Sequence, residues 1–76
     1  MEIAPRVTVD AHVVHGVPVI TGTRVPVSIV IGSLAAGMGK DKVMEEYALS
    51  KEDVEAALAY AADLVARTDA MPLVGA

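Results

Sequence analysis

The side chains that could do chemistry in this chain are two histidines, a group of carboxylates, three serines and one arginine ahead of a predicted helix. His12 and His15 form a His-x-x-His pair. On a helix this spacing would put both imidazoles on one face, but the segment reads as strand and turn, where positions three apart point to opposite faces. Since the chain has no cysteine and only Asp10 lies nearby, we expect no metal site, and half-exposed histidines at a hairpin edge.

Carboxylates in the second half of the chain could in principle supply an acid pair or a magnesium site. They are Glu45, Glu46, Glu52, Asp53 and Glu55. Their positions match the solvated faces of two predicted helices, which is the ordinary place for helical acids. Ser28, Ser33 and Ser50 have no neighbouring base in a recognisable arrangement. We therefore predict no catalytic residues and no enzymatic activity.

The sequence Gly22-Thr23-Arg24 stands ahead of a predicted helix, where a glycine-rich loop could cradle a phosphate. Neither the P-loop spacing nor the dinucleotide-binding fingerprint is present, and Pro26 removes one of the N–H donors that such a site would use. We predict a tight structural turn here, and no cofactor.

Arg24 is the most informative single side chain. Its planar, permanently charged guanidinium could hold a phosphate or a partner's carboxylate. Alternatively it bridges to an acid or to backbone carbonyls inside a dimer and fixes the turn, and we favour this second interpretation because one arginine alone is not a site. The candidate cations for contact with a partner or a nucleic acid are Arg24, Lys40 and Lys51.

The fold class predicted from the pattern is mainly α, with short N-terminal β-strands followed by a three-helix bundle of helix-turn-helix, homeodomain-like outline. The β-branched pieces 7–9, 12–14 and 18–20 predict two or three short strands. Apolar spacing predicts helices over 27–36, 40–47 and 51–67. One domain, 1–76, is expected, with strands and turns over 1–25, the bundle over 26–67 and an irregular, partly apolar tail over 68–76.

The predicted helices have recognisable start and stop signals. Pro26 suits the first turn of the first helix, and Gly37 suits its left-handed end. Gly39 is a tolerable N-cap for the second helix, while Ser50 and Asp53 approximate a capping box for the third. The first helix is apolar nearly all round, a pattern typical of a helix that is buried on most sides.

Size and composition limit what the chain can do alone. Its 76 residues make a domain that buries only about 60% of the surface its unfolded chain exposes. The composition is 54% hydrophobic without Phe or Trp, and Val and Ala contribute thirteen residues each. Such a core favours close helix packing over a ligand cavity. Because the domain is small and has no cysteine for a disulfide, added stability has to come from packing or association, and we predict a homo-oligomer, most simply a dimer.

No targeting segment or membrane span is recognisable, which predicts a cytoplasmic protein without membrane contact.

Charge is distributed unevenly along the chain. Residues 1–40 carry three Lys and Arg against two acids, a sum of +1, whereas residues 41–76 carry three against eight, a sum of −5. The third helix would be the DNA-reading helix of a helix-turn-helix, yet it opens with Glu52, Asp53 and Glu55. Because duplex binding draws much of its affinity from neutralised phosphates, DNA binding by that helix is disfavoured.

The stretch from Pro18 to Val30 carries a signature that resembles one particular family. The matching residues are Gly16, Pro18, Val19, Ile20, Gly22, Thr23, Arg24, Val25, Pro26 and Val27. They are similar to the motif Gly-x-Pro-Val-Ile-x-Gly-Thr-Arg-Ile/Val-Pro-Val of the domain-of-unknown-function 433 (DUF433) family, small bacterial and archaeal proteins treated as antitoxins. The resemblance continues through 34–38 and 49–62, so it covers most of the chain.

This resemblance implies an antitoxin of a type II toxin–antitoxin pair that binds and neutralises a PIN-like ribonuclease. A dimeric helix-turn-helix regulator of its own operator is the alternative, and a homodimeric scaffold is a third. Family members frequently carry a basic residue where this chain has Val17, and another where it has Thr21. These departures weaken a DNA-contacting patch in this chain.

Overall fold

The computed structural model describes residues 1–68, which form three short strands followed by three helices. The strands are β1 (Glu2–Ala4), β2 (Val7–Thr8) and β3 (Val19–Ile20), and the helices are α1 (Val27–Ala35), α2 (Lys40–Tyr47) and α3 (Lys51–Arg67). The predicted fold class, mainly helical with short N-terminal strands before a three-helix bundle, is confirmed. Most of the predicted tail, 69–76, lies outside the described residues.

The strands form an antiparallel sheet in the order β1-β2-β3. Val7 pairs with Ile20, and Thr8 pairs with both Val19 and Glu2. The predicted strands at 7–9 and 18–20 are thus confirmed in shortened form, while β1 was not predicted. Since so small a sheet is marginal alone, its stability depends on the helices that it covers.

The predicted strand over 12–14 is wrong, because the segment forms a turn and a short 3₁₀ helix, Val14–Gly16. The carboxylate of Asp10 accepts a hydrogen bond from the His12 N–H at 2.8 Å, and the Asp10 carbonyl accepts one from the Val13 N–H at 2.9 Å. An aspartate that bonds its own downstream backbone initiates a turn. His15 then has a φ of 58°, which no strand allows.

Helix α1 ends in a Schellman motif, as its glycine predicted. Gly37 has a φ of +101°; its N–H donates to the Leu34 carbonyl at 3.0 Å, and the Met38 N–H donates to the Ser33 carbonyl at 3.0 Å. Pro26 is the N-cap residue, with ψ at 141°, rather than part of the first turn. Ala36 is the C-cap residue, so the helix ends one residue earlier than the predicted 27–36.

Helices α2 and α3 have the predicted bounds because their ends are set by local caps. Ala48 adopts the left-handed conformation and ends α2. Ser50 and Asp53 make the predicted capping box, in which each side chain accepts a hydrogen bond of 3.1 Å from the other residue's backbone N–H. A reciprocal cap of this kind satisfies two otherwise free donors at the start of the helix.

One core of small aliphatic side chains joins the sheet to the helices. Its buried members are Val7, Ile20, Val27, Val30, Val43, Leu49, Val54 and Ala57. The three helices contact one another, and β2 contacts α3. Among residues 1–68 no polar or charged side chain is buried, so the core is held by apolar burial alone.

The single chain leaves parts of two apolar helix faces uncovered. Helix α1 has the pattern of a helix that is buried on most sides, but within one protomer only Val27 and Val30 are buried, and Ile29 is 44% exposed. On α3, Val54 and Ala57 are buried whereas Leu64 is 54% exposed. In both cases the chain is too short to supply the covering surface.

We predict opposite effects for two glycine substitutions at neighbouring positions. Gly37→Ala should lower the free energy of unfolding by about 1 kcal/mol, because alanine is strained at positive φ. Gly39→Ser should raise it by a few tenths of a kcal/mol, about the gain expected when Ser replaces Gly at an N-cap. Urea denaturation of both variants measures the difference, and equal effects would contradict the assigned helix ends.

Candidate functional site

The junction between β3 and α1 is a tight reversal of the chain at the signature residues. The Thr23 N–H donates to the Ile20 carbonyl at 3.0 Å, and the Ile20 N–H donates to the Val25 carbonyl at 2.9 Å. Gly22 has a φ of +81°, which a type II turn requires at this position. Glycine is therefore needed here by backbone geometry.

Thr23, rather than Arg24, fixes this turn within the protomer. Its hydroxyl donates to the Ile20 carbonyl at 2.7 Å and accepts from the Val25 N–H at 3.0 Å. A threonine hydroxyl that bonds neighbouring backbone in this way stabilises a turn. This role of Thr23 was not predicted from the sequence, although its place after Gly22 was a signal for it.

Arg24 is exposed and makes no ion pair or side-chain hydrogen bond with residues 1–68. Its bridge to an acid of a second copy stays a prediction. The same junction is poorly suited to phosphate, because the Val27 N–H already donates to the Pro18 carbonyl at 3.0 Å and Pro26 has no N–H.

The other two candidate cations begin helices. Lys40 is the first residue of α2 and has no ion pair among the described residues. Lys51 is the first residue of α3, and its Nζ lies 4.0 Å from Oε2 of Glu55. The three cations thus stand at the starts of three different helices, and no described contact brings them together.

Arg6 carries an interaction that sequence reasoning missed. Its Nη1 donates to Oδ1 of Asp53 at 3.0 Å, while its backbone carbonyl accepts from the Thr21 N–H at 2.9 Å. One residue of the β1–β2 turn therefore contacts both the signature loop and the capping box of α3. Since 47 positions separate the two charged residues, no local pattern could have indicated the pair.

These contacts lower the pKa of the Asp53 carboxyl group. Partial burial by itself would raise the pKa of Asp53, but hydrogen bonds from Ser50 and the Arg6 guanidinium outweigh it and hold the pKa below its usual value. The charged carboxylate is thus stabilised in the folded state. The Asp53 side chain is 16% exposed and the Arg6 side chain is 53% exposed, so water still screens the ion pair from the arginine side.

The outer surface of α2 and α3 is acidic. Its exposed carboxylates are Asp41, Glu45, Glu46, Glu52, Glu55 and Asp63. Lys42, Lys51 and Arg67 pair with three of these acids on the same helices, which leaves Asp41, Glu46 and Glu52 without an ion pair among residues 1–68. We call the side chains of these six acids the acidic surface.

Two open apolar grooves lie on either side of α1. The groove toward α2, lined by Ser28, Ile29, Gly32, Ser33, Ala36, Gly37, Met38 and Tyr47, has a volume of about 600 Å³. The groove toward α3, lined by Val17, Pro18, Val27, Ser28, Ile31, Tyr60, Ala61 and Leu64, has a volume of about 310 Å³. Neither is lined by Asp, Glu, His, Lys or Arg.

The described residues include no group of three or more His, Cys, Asp or Glu side chains that could hold a metal ion. His12 is in a turn and His15 is in the 3₁₀ helix. No helix within residues 1–68 is long and apolar enough to cross a membrane. Chemically, the arrangement offers apolar grooves and a charged surface, which are features of binding to other molecules.

Comparison with known proteins gives one match. The model of a family described as "Protein of unknown function (DUF433)" matches residues 7–61. The match begins in β2, includes the signature loop and reaches into α3. Neither the curated proteins nor the solved structures contain a match to this chain.

We predict that Asp53→Asn destabilises the fold in a pH-dependent way. At neutral pH the variant should lose about 1 kcal/mol of its free energy of unfolding, the typical net contribution of a hydrogen bond, because Asp53 accepts hydrogen bonds from the Ser50 N–H and the Arg6 guanidinium. Because the folded pKa of Asp53 is lowered, this contribution is present above about pH 4, the usual pKa of the unfolded group, and is lost as the pH falls through the folded pKa. Wild type and variant should therefore converge in acid.

Urea denaturation across the acid range measures this convergence. Asp63→Asn is the matched control, because Asp63 pairs with Arg67 on an exposed helix face with a side chain that is 56% exposed, where ion pairs contribute little. A constant difference between wild type and Asp53→Asn at every pH would contradict the assigned role of the carboxylate.

Proposed function

Because the chain belongs to the DUF433 family of proteins of unknown function, we propose its function from its surfaces: it acts as the antitoxin of a type II toxin–antitoxin pair, binding and neutralising a PIN-like ribonuclease. The observation that carries this proposal is the acidic surface on α2 and α3. Binding would be its whole activity, with no chemical step of its own.

Charge complementarity supports this choice of partner. A nuclease of this class uses an acidic metal site surrounded by basic residues that hold the RNA backbone. Carboxylates of the acidic surface could contact those basic residues in place of RNA phosphates, as complementary potentials do across protein interfaces. Glu52 and Glu55 are exposed in the first turns of α3, so they are available to a partner without any change in the fold.

Glu52 and Glu55 are suited to cover basic residues of the partner by charge, without a pocket of matching shape. Glu55 lies 4.0 Å from Lys51, a weak exposed pair that a stronger cation could replace. Glu52 has no ion pair among the described residues. An arginine from the partner could pair with both carboxylates. It would compete with Lys51 for Glu55 but would have no competitor among the described residues for Glu52.

We predict that Glu52→Gln combined with Glu55→Gln weakens the complex with the toxin by about tenfold or more, mainly through slower association. The toxin to test is the product of the adjacent open reading frame, co-expressed and purified with this chain. Surface plasmon resonance at several salt concentrations gives the affinity, and cleavage of a model RNA gives the inhibition.

Val17→Lys combined with Thr21→Lys is the matched control, since it changes net charge by the same amount in the N-terminal part of the chain. It should leave toxin binding nearly unchanged. Absence of a stable complex with the neighbouring product, together with undiminished toxicity on co-expression, would contradict the proposal. Such a result would favour the homodimeric scaffold.

A dimeric DNA-binding regulator is the second candidate. The observation in its favour is that α2 and α3 are joined by only the three residues 48–50, the spacing of a helix-turn-helix. The acids at the start of α3 oppose this function, because they would meet the phosphate backbone. Arg24 and Lys40, both without an ion pair among residues 1–68, are the cations that DNA could use.

We predict that a gel shift with the upstream promoter shows at most weak binding that salt removes. Arg24→Gln should reduce whatever binding exists and lower the salt dependence, since each phosphate contact contributes to the slope. Glu46→Gln is the control and should not weaken binding. A tight, sequence-specific shift that persists at physiological salt would make the regulator the leading function.

A further inference from the structure

The exposed side of α1 is apolar and uncharged. Its exposed residues are Ser28, Ile29, Gly32, Ala35 and Ala36, which we call the outer face of α1. No charged residue occurs between Val25 and Gly39. Ile29, the third residue of α1, is 44% exposed, so this face carries a large β-branched aliphatic side chain.

Gly32 occupies the centre of this face, although no contact or backbone angle within the protomer requires glycine there. A glycine in a helix interior costs about 1 kcal/mol relative to alanine. Its backbone is helical, and an added Cβ would meet no atom within 4 Å. The missing side chain therefore leaves space on the outside of the molecule, where only another molecule could use it.

The groove toward α2 borders the same face and could receive a side chain. The Ser33 hydroxyl and the Tyr47 hydroxyl lie 3.0 Å apart and hydrogen bond to each other, which leaves Ile29, Ala36 and Met38 as the main apolar lining. Methionine adapts to the shape of an inserted group. A branched aliphatic side chain such as isoleucine suits this groove.

We propose that the outer face of α1 binds the same face of a second copy of this chain, with the two helices antiparallel about a twofold axis beside Gly32. This interface is separate from the toxin-binding proposal, which is tested at Glu52 and Glu55; of the acidic surface, only Asp41 takes part in the dimer. An isologous interface requires a self-complementary patch, and the spacing on α1 provides one.

The positions of large and small side chains match under this symmetry. Ile29 lies three residues before Gly32, and Ala36 lies four residues after it on the same side of the helix. The twofold axis therefore places Ile29 of each copy against Ala36 of the other, beside the groove toward α2. Ser28 and Ala35 face each other in the same way on the opposite side.

Charge at the ends of the interface is also complementary. Arg24 precedes the uncharged stretch and Asp41 follows it; both are exposed, and neither has an ion pair among residues 1–68. Arg24 lies before the start of α1 and Asp41 lies after its end, so antiparallel pairing brings Arg24 of one copy toward the end where Asp41 of the other lies, twice per dimer. This arrangement would provide Arg24 with the acid that the single protomer lacks.

Sedimentation equilibrium of the full chain tests the proposal. Wild type should show a monomer–dimer equilibrium, and Gly32→Leu should weaken it by about 30-fold or more, the scale of a central interface residue. Because a Cβ added at Gly32 would meet no other side chain within 4 Å and lies on the exposed side of α1, circular dichroism of Gly32→Leu should remain that of a folded helical protein. Ala62→Leu, on the exposed face of α3, is the matched control and should dimerise as wild type does.

A charge exchange tests the orientation. Arg24→Glu and Asp41→Arg should each weaken the dimer several-fold, and the double variant should recover most of the affinity, which rules out simple misfolding. The proposal is overturned if wild type is monomeric at every concentration, if Gly32→Leu dimerises normally, or if the double variant is weaker than both single variants.

Discussion

The fold depends on burying short aliphatic side chains from every element in one common core. Val7 and Ile20 of the sheet and Val30, Val43 and Val54 of the three helices are all almost completely buried. None is larger than isoleucine, so the elements must lie close together to exclude water. The tight loop from Ile20 to Val25 follows from this constraint, because β3 and α1 both enter the same core within a few residues.

The same constraint leaves apolar surface uncovered. A core of small side chains in a chain of this length protects one side of α1 and only the first part of α3, and it leaves Ile29 and Leu64 largely exposed. Outside this core, polar interactions connect the sheet to α3: Arg6 of the β1–β2 turn binds Asp53, which is part of the Ser50–Asp53 capping box. The molecule thereby separates an uncharged side on α1 from the acidic surface on α2 and α3; we assign the proposed second copy to the first and the proposed toxin to the second.

Local chemistry explains which parts could be predicted from the sequence. The ends of α2 and α3 were predictable because Ala48 to Ser50 and the capping box act within a few residues. The strand predicted at 12–14 failed because β-branched composition was outweighed by the turn that the Asp10 side chain starts. The Arg6–Asp53 pair joins residues that are 47 positions apart in the chain, so no local pattern predicts it. The exposure of Ile29 depends on which other elements pack against α1, and local pattern does not predict this either. Arg24 was singled out by type and position, but within the protomer the turn is held by Thr23.

In the dimer that we propose, the uncovered face of α1 contacts the same face of a second copy. An isotope-filtered NMR experiment on a mixture of labelled and unlabelled chain observes this contact directly. The dimer should give intermolecular nuclear Overhauser effects between the Ile29 methyl groups of one copy and the Ala36 methyl group of the other. Intermolecular effects that involve only other residues, or none at concentrations well above any dimer dissociation constant, would contradict it.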